Sequence, residues 1–291
     1  MREDRIPKPA WLKRRLGSGA TFQRVRSLIQ EGRLHTVCQE ALCPNQGECF
    51  SKGTATFLIL GDHCTRNCGF CAVSHGAPQP PDPQEPKRVA RAVKAMGIKY
   101  VVLTSVSRDD LEDGGAAQFA ETIREIRSRV PEAMVEVLVP DFGGSEESLR
   151  KVLQAAPQVL NHNLETVPRL YPKVRPQAKY ERSLELLERA RLLAPQIPTK
   201  SGLMLGLGEE HGEVEQVLGD LLGIGCRLLT LGQYLRPSRE HLPVERYVPP
   251  EEFDAWRDKA LQMGFSHVAS GPFVRSSYNA GEMYRESENR G

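Results

Sequence analysis

The strongest constraint on the fold of this 291-residue chain is a regular alternation of short apolar runs and amphipathic segments. Runs typical of buried strands are separated by segments whose apolar residues recur at helical spacing. Such alternation predicts an α/β fold of parallel strands joined by right-handed crossovers. About six strand–helix units follow the first run, which favours an incomplete (β/α)6 barrel of the TIM type over a doubly wound sheet. The runs lie at 56–60, 100–104, 135–138, 159–163, 199–205, 228–231 and 265–269.

Three cysteines directly follow the first run, with the spacing C-x3-C-x2-C. These residues, Cys64, Cys68 and Cys71, are called the barrel triplet below. Thiolates at such short spacing are typical ligands of [4Fe–4S] clusters. A four-iron cluster has four corners, so a loop with three thiolates leaves one iron open, much as a catalytic zinc keeps one position free. The spacing therefore predicts a reactive cluster, on a loop at the C-terminal end of a barrel strand, where active sites of such barrels lie.

Structural zinc, disulfides and ordinary core cysteines are the alternatives for this triplet. Zinc sites usually draw their ligands from two separated pairs, and no second pair follows at zinc-ribbon distance. Disulfides are disfavoured because the chain has seven cysteines, an odd number, and because we expect a reducing compartment.

Three further cysteines precede the first run and form the N-terminal triplet: Cys38, Cys43 and Cys49. Pro44 and the glycine at position 47 indicate that the triplet lies in a loop. The pattern favours a second iron–sulfur cluster that lacks one ligand within its own loop. A structural metal site is the alternative. The seventh cysteine, Cys226, precedes an apolar run and is expected to be an ordinary buried residue.

The overall charge does not favour binding to nucleic acid or to a membrane. The chain has 39 Lys and Arg residues against 37 Asp and Glu residues, a net charge of +2. Residues 1–5 lack the apolar stretch of a signal peptide, and their two acidic residues disfavour a transit peptide. We therefore expect a cytoplasmic protein without nucleic-acid or membrane partners, and nothing demands more than a monomer. Residues 1–19 are predicted to be an extended arm, whose basic stretch 13–15 is a solvated face or, alternatively, a dock for an acidic partner.

Polar residues follow several of the predicted strands. Thr104, Asn163 and Glu165 are candidates for binding a polar ligand, because they lie where strand ends meet in a barrel. His162 is expected to be a satisfied structural histidine, since a single histidine is more often structural than a ligand.

Together these segments resemble the lipoyl synthase family of the radical S-adenosylmethionine (SAM) superfamily, from about residue 36 to residue 278. The barrel triplet, with Phe70 before its last cysteine, is the superfamily signature. The N-terminal triplet and the sequence Arg275-Ser276-Ser277-Tyr278 are specific to the family. Further matching segments are 55–61 (ATFLILG), 104–110 (TSVSRDD), 161–166 (NHNLET), 200–209 (KSGLMLGLGE), 231–235 (LGQYL) and 270–278 (SGPFVRSSY).

The resemblance implies two [4Fe–4S] clusters and bound SAM. The barrel triplet would hold the cluster whose open iron is chelated by SAM. The N-terminal triplet would hold an auxiliary cluster, and its fourth ligand would be a serine of the tail, Ser277, with Ser276 as the alternative. Serine oxygen is a harder and weaker ligand for iron than thiolate, and it can leave when the cluster is dismantled. Phe70, Thr104, Asn163 and Glu165 are the expected SAM contacts.

The implied reaction inserts two sulfur atoms, at C6 and C8 of an octanoyl chain carried on a lysine of a lipoyl carrier protein or domain. Radicals derived from SAM remove the hydrogens, because no side-chain base can deprotonate an alkane. The auxiliary cluster supplies the sulfur, so an electron donor and an iron–sulfur assembly or carrier protein are the further expected partners. The implied division is an N-terminal cluster-binding segment 1–53, a barrel 54–271 and a C-terminal tail 272–291.

Three other functions are weighed against this one. A biotin-synthase-like enzyme would leave the N-terminal triplet and the serine motif without a role. A tRNA methylthiolation enzyme is expected to carry an RNA-binding module with a basic stripe. An iron–sulfur carrier or redox sensor would need no polar residues at the strand ends.

Overall fold

The computed structural model of the protein describes residues 6–14 and 17–288, with the backbone alone for 285–288. Expectations about residues 1–5 and about the basic residue at position 15 lie outside this part of the chain. Within it, no helix combines the length and apolar character needed to cross a membrane.

One sheet of eight strands organises the described residues, in the order β1-β2-β5-β6-β7-β8-β9-β10. All neighbouring strands from β2 to β10 are parallel, whereas β1 pairs antiparallel with β2. The short strands β3 and β4 pair with each other within the cysteine loop. The strands are β1 His35–Thr36, β2 Thr56–Ile59, β3 His63–Cys64, β4 Ser74–His75, β5 Tyr100–Ser105, β6 Met134–Leu138, β7 Val159–Asn161, β8 Thr199–Leu205, β9 Leu228–Gln233 and β10 His267–Gly271.

Helices connect successive strands on the outside of this sheet. Six strand–helix units run from β2 to α10, and β10 follows them. The predicted incomplete (β/α)6 barrel is therefore confirmed. The α-helices are α1 Ala20–Glu31, α2 Val37–Glu40, α3 Gln46–Ser51, α4 Glu85–Met96, α5 Ala116–Arg129, α6 Glu146–Gln154, α7 Tyr171–Val174, α8 Tyr180–Leu193, α9 His211–Gly223, α10 Pro250–Met263 and α11 Ala280–Glu288. Short 3-10 turns lie at Ala10–Leu12, Phe142–Gly144 and Pro168–Leu170.

Helix α4 illustrates how the sequence directs these units. Its buried face includes Val89 and Val93, one helical turn apart, which pack toward the sheet. Gly97 ends the helix in the left-handed conformation, with φ of 67°, and its N–H bonds the carbonyl oxygens of the last turn. The chain then enters β5, whose central residues are fully buried.

The N-terminal segment is more ordered than its sequence indicates. The arm is predicted to be extended, but it forms the turn Ala10–Leu12, and the side chain of Leu12 is buried. The loop of the N-terminal triplet contains the short helices α2 and α3. Thr36 caps α2 by accepting the N–H of Gln39, a capping interaction that a loop prediction overlooks.

The C-terminal helix α11 closes the barrel at the N-terminal ends of its strands. Met283 packs on Val159 and Leu228, the first residues of β7 and β9. Tyr284 packs against Tyr100 at the start of β5, with ring centroids 5.9 Å apart. The sequence analysis did not predict this helix. The segment between β10 and α11 packs on β8 and β9, where the carbonyl oxygen of Ser276 accepts a hydrogen bond from Lys200.

Candidate active site

A cavity of about 870 Å³ opens where the parallel strands end, and both cysteine triplets line it. Ser276 and Ser277 of the tail line the same cavity. So do all four predicted SAM contacts: Phe70, Thr104, Asn163 and Glu165. The structure thus brings together residues from three distant parts of the chain.

The barrel triplet lies on the loop that leaves β2, at the C-terminal end of the strand. The sulfur of Cys64 accepts the backbone N–H groups of Arg66, at 3.4 Å, and of Ser107, at 3.3 Å. Burial raises the pKa of Cys71 to about 12, although the backbone N–H of Val73 opposes this effect. N–H donors that point at a sulfur stabilise its thiolate form. Burial disfavours the charged thiolate, and the positive charge of bound iron would compensate for this effect. This donor set therefore fits a cluster.

Arg66 anchors this loop to the barrel. Its guanidinium group donates two hydrogen bonds to Asp109, both at 2.7 Å, and two to Asp141, at 2.6 and 3.1 Å. The Asp141 side chain is fully buried. Burial alone would raise the pKa of Asp141, but the bonds and charge of Arg66 outweigh it and lower the pKa to about 2. Sequence analysis missed Arg66, whose only signal is its place within the cysteine loop.

A second missed residue, Arg175, lies beside the barrel triplet. It follows α7 and is buried, and its Nη1 donates to the carbonyl oxygens of Asn163, at 2.9 Å, and Leu164, at 3.2 Å. Its Nε has no hydrogen-bond partner among the described residues. Burial raises the pKa of the cavity-lining Glu165, while the charge of Arg175 lowers it. Arg175 also lines the cavity, so this donor is available to a ligand bound there.

The N-terminal triplet has the same chemical character. Burial, together with repulsion from neighbouring sulfurs of the triplet, raises the pKa of Cys38 to about 12 and that of Cys49 to about 11. The hydroxyl of Thr54 donates to the backbone carbonyl oxygen of Cys49, at 3.2 Å, and the backbone of Thr56 counteracts the rise in the pKa of Cys38. Three thiols that line the cavity together, two of them with a pKa raised by burial, fit a shared metal cluster, because bound iron stabilises thiolates.

The tail after β10 lies against this triplet. The side-chain amide of Asn45 donates to the carbonyl oxygen of Phe273, at 2.7 Å, and the hydroxyl of Tyr278 donates to Glu48, at 3.0 Å. Arg275 interacts electrostatically with Cys43 and Glu165, one residue from each side of the cavity. The tail is therefore bound to the N-terminal triplet's own loop.

The two candidate serine ligands differ in their contacts. The hydroxyl of Ser276 donates to Oδ1 of Asn163, at 2.9 Å, and accepts from Nδ2 of the same residue, at 2.6 Å. Ser277 also lines the cavity, and its hydroxyl makes no hydrogen bond within the described residues. The choice of Ser277 as ligand stays a prediction, as do the other ligand and SAM-contact assignments.

The remaining sequence candidates have clear local roles. The hydroxyl of Thr104, which lines the cavity, donates to the carbonyl oxygen of Leu138, at 3.0 Å. His162 is buried and bonded at both ring nitrogens, by the carbonyl oxygen of Val139 and the hydroxyl of Ser183, as expected of a structural histidine. Cys226 is fully buried, as expected of an ordinary core cysteine.

Comparisons with known proteins agree with this site. The model of the radical SAM superfamily matches residues 58–221. Lipoyl synthase of Alkaliphilus metalliredigens (strain QYMF) is 55% identical over 281 residues, which cover 97% of each chain. Lipoyl synthase of Methylococcus capsulatus (strain Bath) is 58% identical over 276 residues, which cover 94% of this chain and 86% of that one.

Among solved structures, methylornithine synthase matches with a TM-score of 0.54 and 15% identity, covering 90% of this chain and 85% of its own. The hydrogenase maturase HydG matches with a TM-score of 0.53 and 14% identity, covering 92% of this chain and 71% of its own. These structural likenesses concern the fold alone. Identity above one half along nearly the whole chain shows more: the chain belongs to the lipoyl synthase family, a family of radical SAM sulfurtransferases that use SAM and [4Fe–4S] clusters as cofactors.

Proposed function

We propose that this enzyme inserts two sulfur atoms, at C6 and C8 of an octanoyl chain on a protein-bound lysine, to form the lipoyl group. The observation that carries the proposal is that one cavity is lined by two separate cysteine triplets. One cluster is then available for radical generation and the other for sulfur donation. A shared cavity keeps the radical, the alkyl chain and the sulfur donor close together, which converts separate encounters into one positioned reaction.

Cys64, Cys68 and Cys71 would hold the cluster that, when reduced, provides the electron for cleavage of SAM. Phe70 would pack against the cofactor, and Thr104, Asn163 and Glu165 would bind its polar groups. The unpartnered Nε of Arg175 is suited to the carboxylate end of SAM, since a guanidinium group binds carboxylates strongly. Arg66 would keep the cysteine loop in place through its bonds to Asp109 and Asp141.

Cys38, Cys43, Cys49 and Ser277 would hold the auxiliary cluster, which supplies sulfide. The guanidinium group of Arg275, which interacts electrostatically with Cys43, would stabilise a serinate at position 277. The donor cluster is consumed, so turnover requires an iron–sulfur assembly or carrier protein as well as an electron donor. In this proposal residues 1–53 and 272–291 are additions to the barrel 54–271, and together they form the donor half of the site.

The cavity wall is suited to an alkyl chain. Apolar side chains from several strands line it, and they would exclude water from the radical chemistry. The octanoyl chain would enter from the open side while its carrier protein or domain stays outside, in a cytoplasmic setting. Among the apolar lining residues are Leu58, Val102, Val106, Leu138, Leu203 and Leu235.

Mass spectrometry of an octanoyl-lysine peptide tests the proposal. The peptide is incubated anaerobically with reconstituted enzyme, reductant and SAM. We expect a gain of two sulfur atoms with the wild-type enzyme and with the control variant Cys226→Ala. We expect Cys43→Ala to form 5′-deoxyadenosine without adding sulfur. Sulfur insertion by Cys43→Ala would refute the donor role of the N-terminal triplet, and deoxyadenosine without sulfur in the wild type would refute the proposed substrate.

A further inference from the structure

Four hydrogen-bonded polar side chains form a layer inside the barrel; three of them are buried, and Tyr100, which lines the cavity and packs against helix α11, is half-buried. They are Tyr100, Glu136, Asn161 and Lys200, and they come from the four neighbouring strands β5 to β8. The side chains of Glu136 and Lys200 are each only 1% exposed. An apolar barrel core would have needed none of these polar groups.

The carboxylate of Glu136 is the centre of this layer. Its Oε1 accepts hydrogen bonds from Nζ of Lys200, at 2.8 Å, and from the amide of Asn161, at 3.3 Å. Its Oε2 accepts the hydroxyl of Tyr100, at 2.8 Å. The carboxylate therefore has partners on both oxygens, and it holds the ammonium group of Lys200 in one position.

Lys200 directs a second hydrogen bond upward to the tail. Its Nζ lies 2.6 Å from the carbonyl oxygen of Ser276, the residue directly before Ser277. A buried ion pair often adds no net stability compared with well-packed apolar residues, because both charges lose their hydration. A charged donor does, however, form a strong and directional hydrogen bond to a carbonyl oxygen. The layer is thus better suited to fixing the tail than to stabilising the barrel.

Two glycines on the neighbouring strands β8 and β9 leave room for the tail. A side chain at Gly232 on β9 would overlap the carbonyl oxygen of Val274. A Cβ at Gly202 on β8 would lie 3.3 Å from the hydroxyl oxygen of Ser276, in addition to crowding Thr230. The backbone of the tail therefore rests directly on the strands, and Lys200 bonds it from below.

We propose that Lys200, held by Glu136, is a positioning residue that fixes the Ser276 carbonyl and so presents the Ser277 hydroxyl to the N-terminal triplet. This inference rests on the proposed role of Ser277 as a cluster ligand. The contacts of Lys200 involve no cysteine. The tail would therefore keep its position when the auxiliary cluster is dismantled, and the serine would be in place when a new cluster is inserted.

Hydrogen–deuterium exchange of the full-length protein, with and without its clusters, tests the positioning. The variants are Lys200→Met and the double variant Lys200→Met/Glu136→Leu, which leaves no unpaired buried charge. We expect backbone amides of residues 274–279 to exchange about tenfold faster in both variants, also without clusters. The matched control is Lys151→Met, which breaks the partly exposed ion pair with Asp113 on the outside of the barrel and should leave the tail unchanged.

Loss of iron to a chelator from the cluster-loaded enzyme gives the second readout. We expect the iron of the auxiliary cluster to be lost about tenfold faster in the double variant, with deoxyadenosine formation retained. The inference would be overturned if the double variant exchanged its tail amides and lost its iron at the wild-type rates. This outcome does not depend on whether the single variant folds. A Ser277→Ala enzyme that retains iron like the wild type would instead refute the serine ligand, and the exchange data would still decide the role of Lys200.

Discussion

Asn163 and Ser276 exchange two hydrogen bonds, of 2.6 and 2.9 Å, although 113 residues separate them in the chain. Asn163 follows β7 at the C-terminal end of the barrel, and Ser276 lies on the tail that returns from β10. The amide nitrogen of Asn163 also donates to Glu165, at 3.0 Å. The pair therefore joins the wall of the SAM side to the segment that carries the candidate ligand Ser277.

This pair leads us to expect different effects at the two serines. Ser277→Ala should lose the auxiliary cluster's iron more readily and reduce sulfur insertion by about tenfold or more, because one ligand is missing. Ser276→Ala should keep the cluster, since its hydroxyl is already bonded to Asn163. Mössbauer spectroscopy and iron retention distinguish the variants.

Ser277→Cys supplies the matched control for this experiment. A thiolate is a softer and stronger ligand for iron than a serine oxygen, so this variant should retain the cluster and release sulfur more slowly. If Ser276→Ala, rather than Ser277→Ala, loses the iron, then Ser276 is the ligand.

The glycine under the tail gives a second prediction. Gly232→Ala should displace the tail from β9, because the added Cβ overlaps the Val274 carbonyl oxygen. We expect the iron content to fall by about half, from the loss of one of two [4Fe–4S] clusters. In the control Gly219→Ala, on an exposed position of α9 with open space around it, iron should be unchanged and stability should rise by about 0.5–1 kcal/mol. Equal iron content in the two variants would argue against a role of the tail in holding the auxiliary cluster.

The anchor of the cysteine loop gives a third prediction. Arg66→Ala leaves the buried carboxylate of Asp141 without its main partner, so the free energy of unfolding should fall by about 3 kcal/mol. Urea unfolding followed by circular dichroism measures this change. Arg124→Ala removes an exposed ion pair with Glu121 on α5 and should change stability by less than about 0.5 kcal/mol. Similar midpoints for both variants would mean that Arg66 is not an anchor.

The buried histidine gives a fourth prediction, on pH. Burial, and after it the charge of Arg175, lowers the pKa of His162 from 6.5 to about 4. His162 therefore takes up a proton near pH 6.5 in the unfolded chain, whereas in the folded protein it stays neutral down to about pH 4. The free energy of unfolding falls as the pH drops through this range. Between about pH 7.5 and about pH 5.5 this residue should account for a loss of about 1 kcal/mol. His162→Gln should show a smaller pH dependence of its urea midpoint, and an unchanged slope would contradict this role.

Local patterns in the sequence determined the barrel and the chemical class of the site. The cysteine spacing acts over a few residues, and the periodicity of apolar positions acts within one helix or strand. Such features survive into the fold because neighbouring residues have little freedom to move apart. The placement of the barrel triplet after β2 follows from them directly. The N-terminal arm is the exception, since its turn Ala10–Leu12 is stabilised by the packing of Leu12, which no local pattern in the sequence predicts.

Only the tertiary structure decided how the two triplets, the tail and the basic residues meet. The contacts of Arg66 with Asp141, of Lys200 with Ser276 and of Asn45 with Phe273 join residues separated by 75, 76 and 228 positions. Each is a hydrogen bond between single polar groups, and neither partner carries a periodic signal. Their pairing depends on the path of the chain around the barrel, so local patterns in the sequence do not predict it.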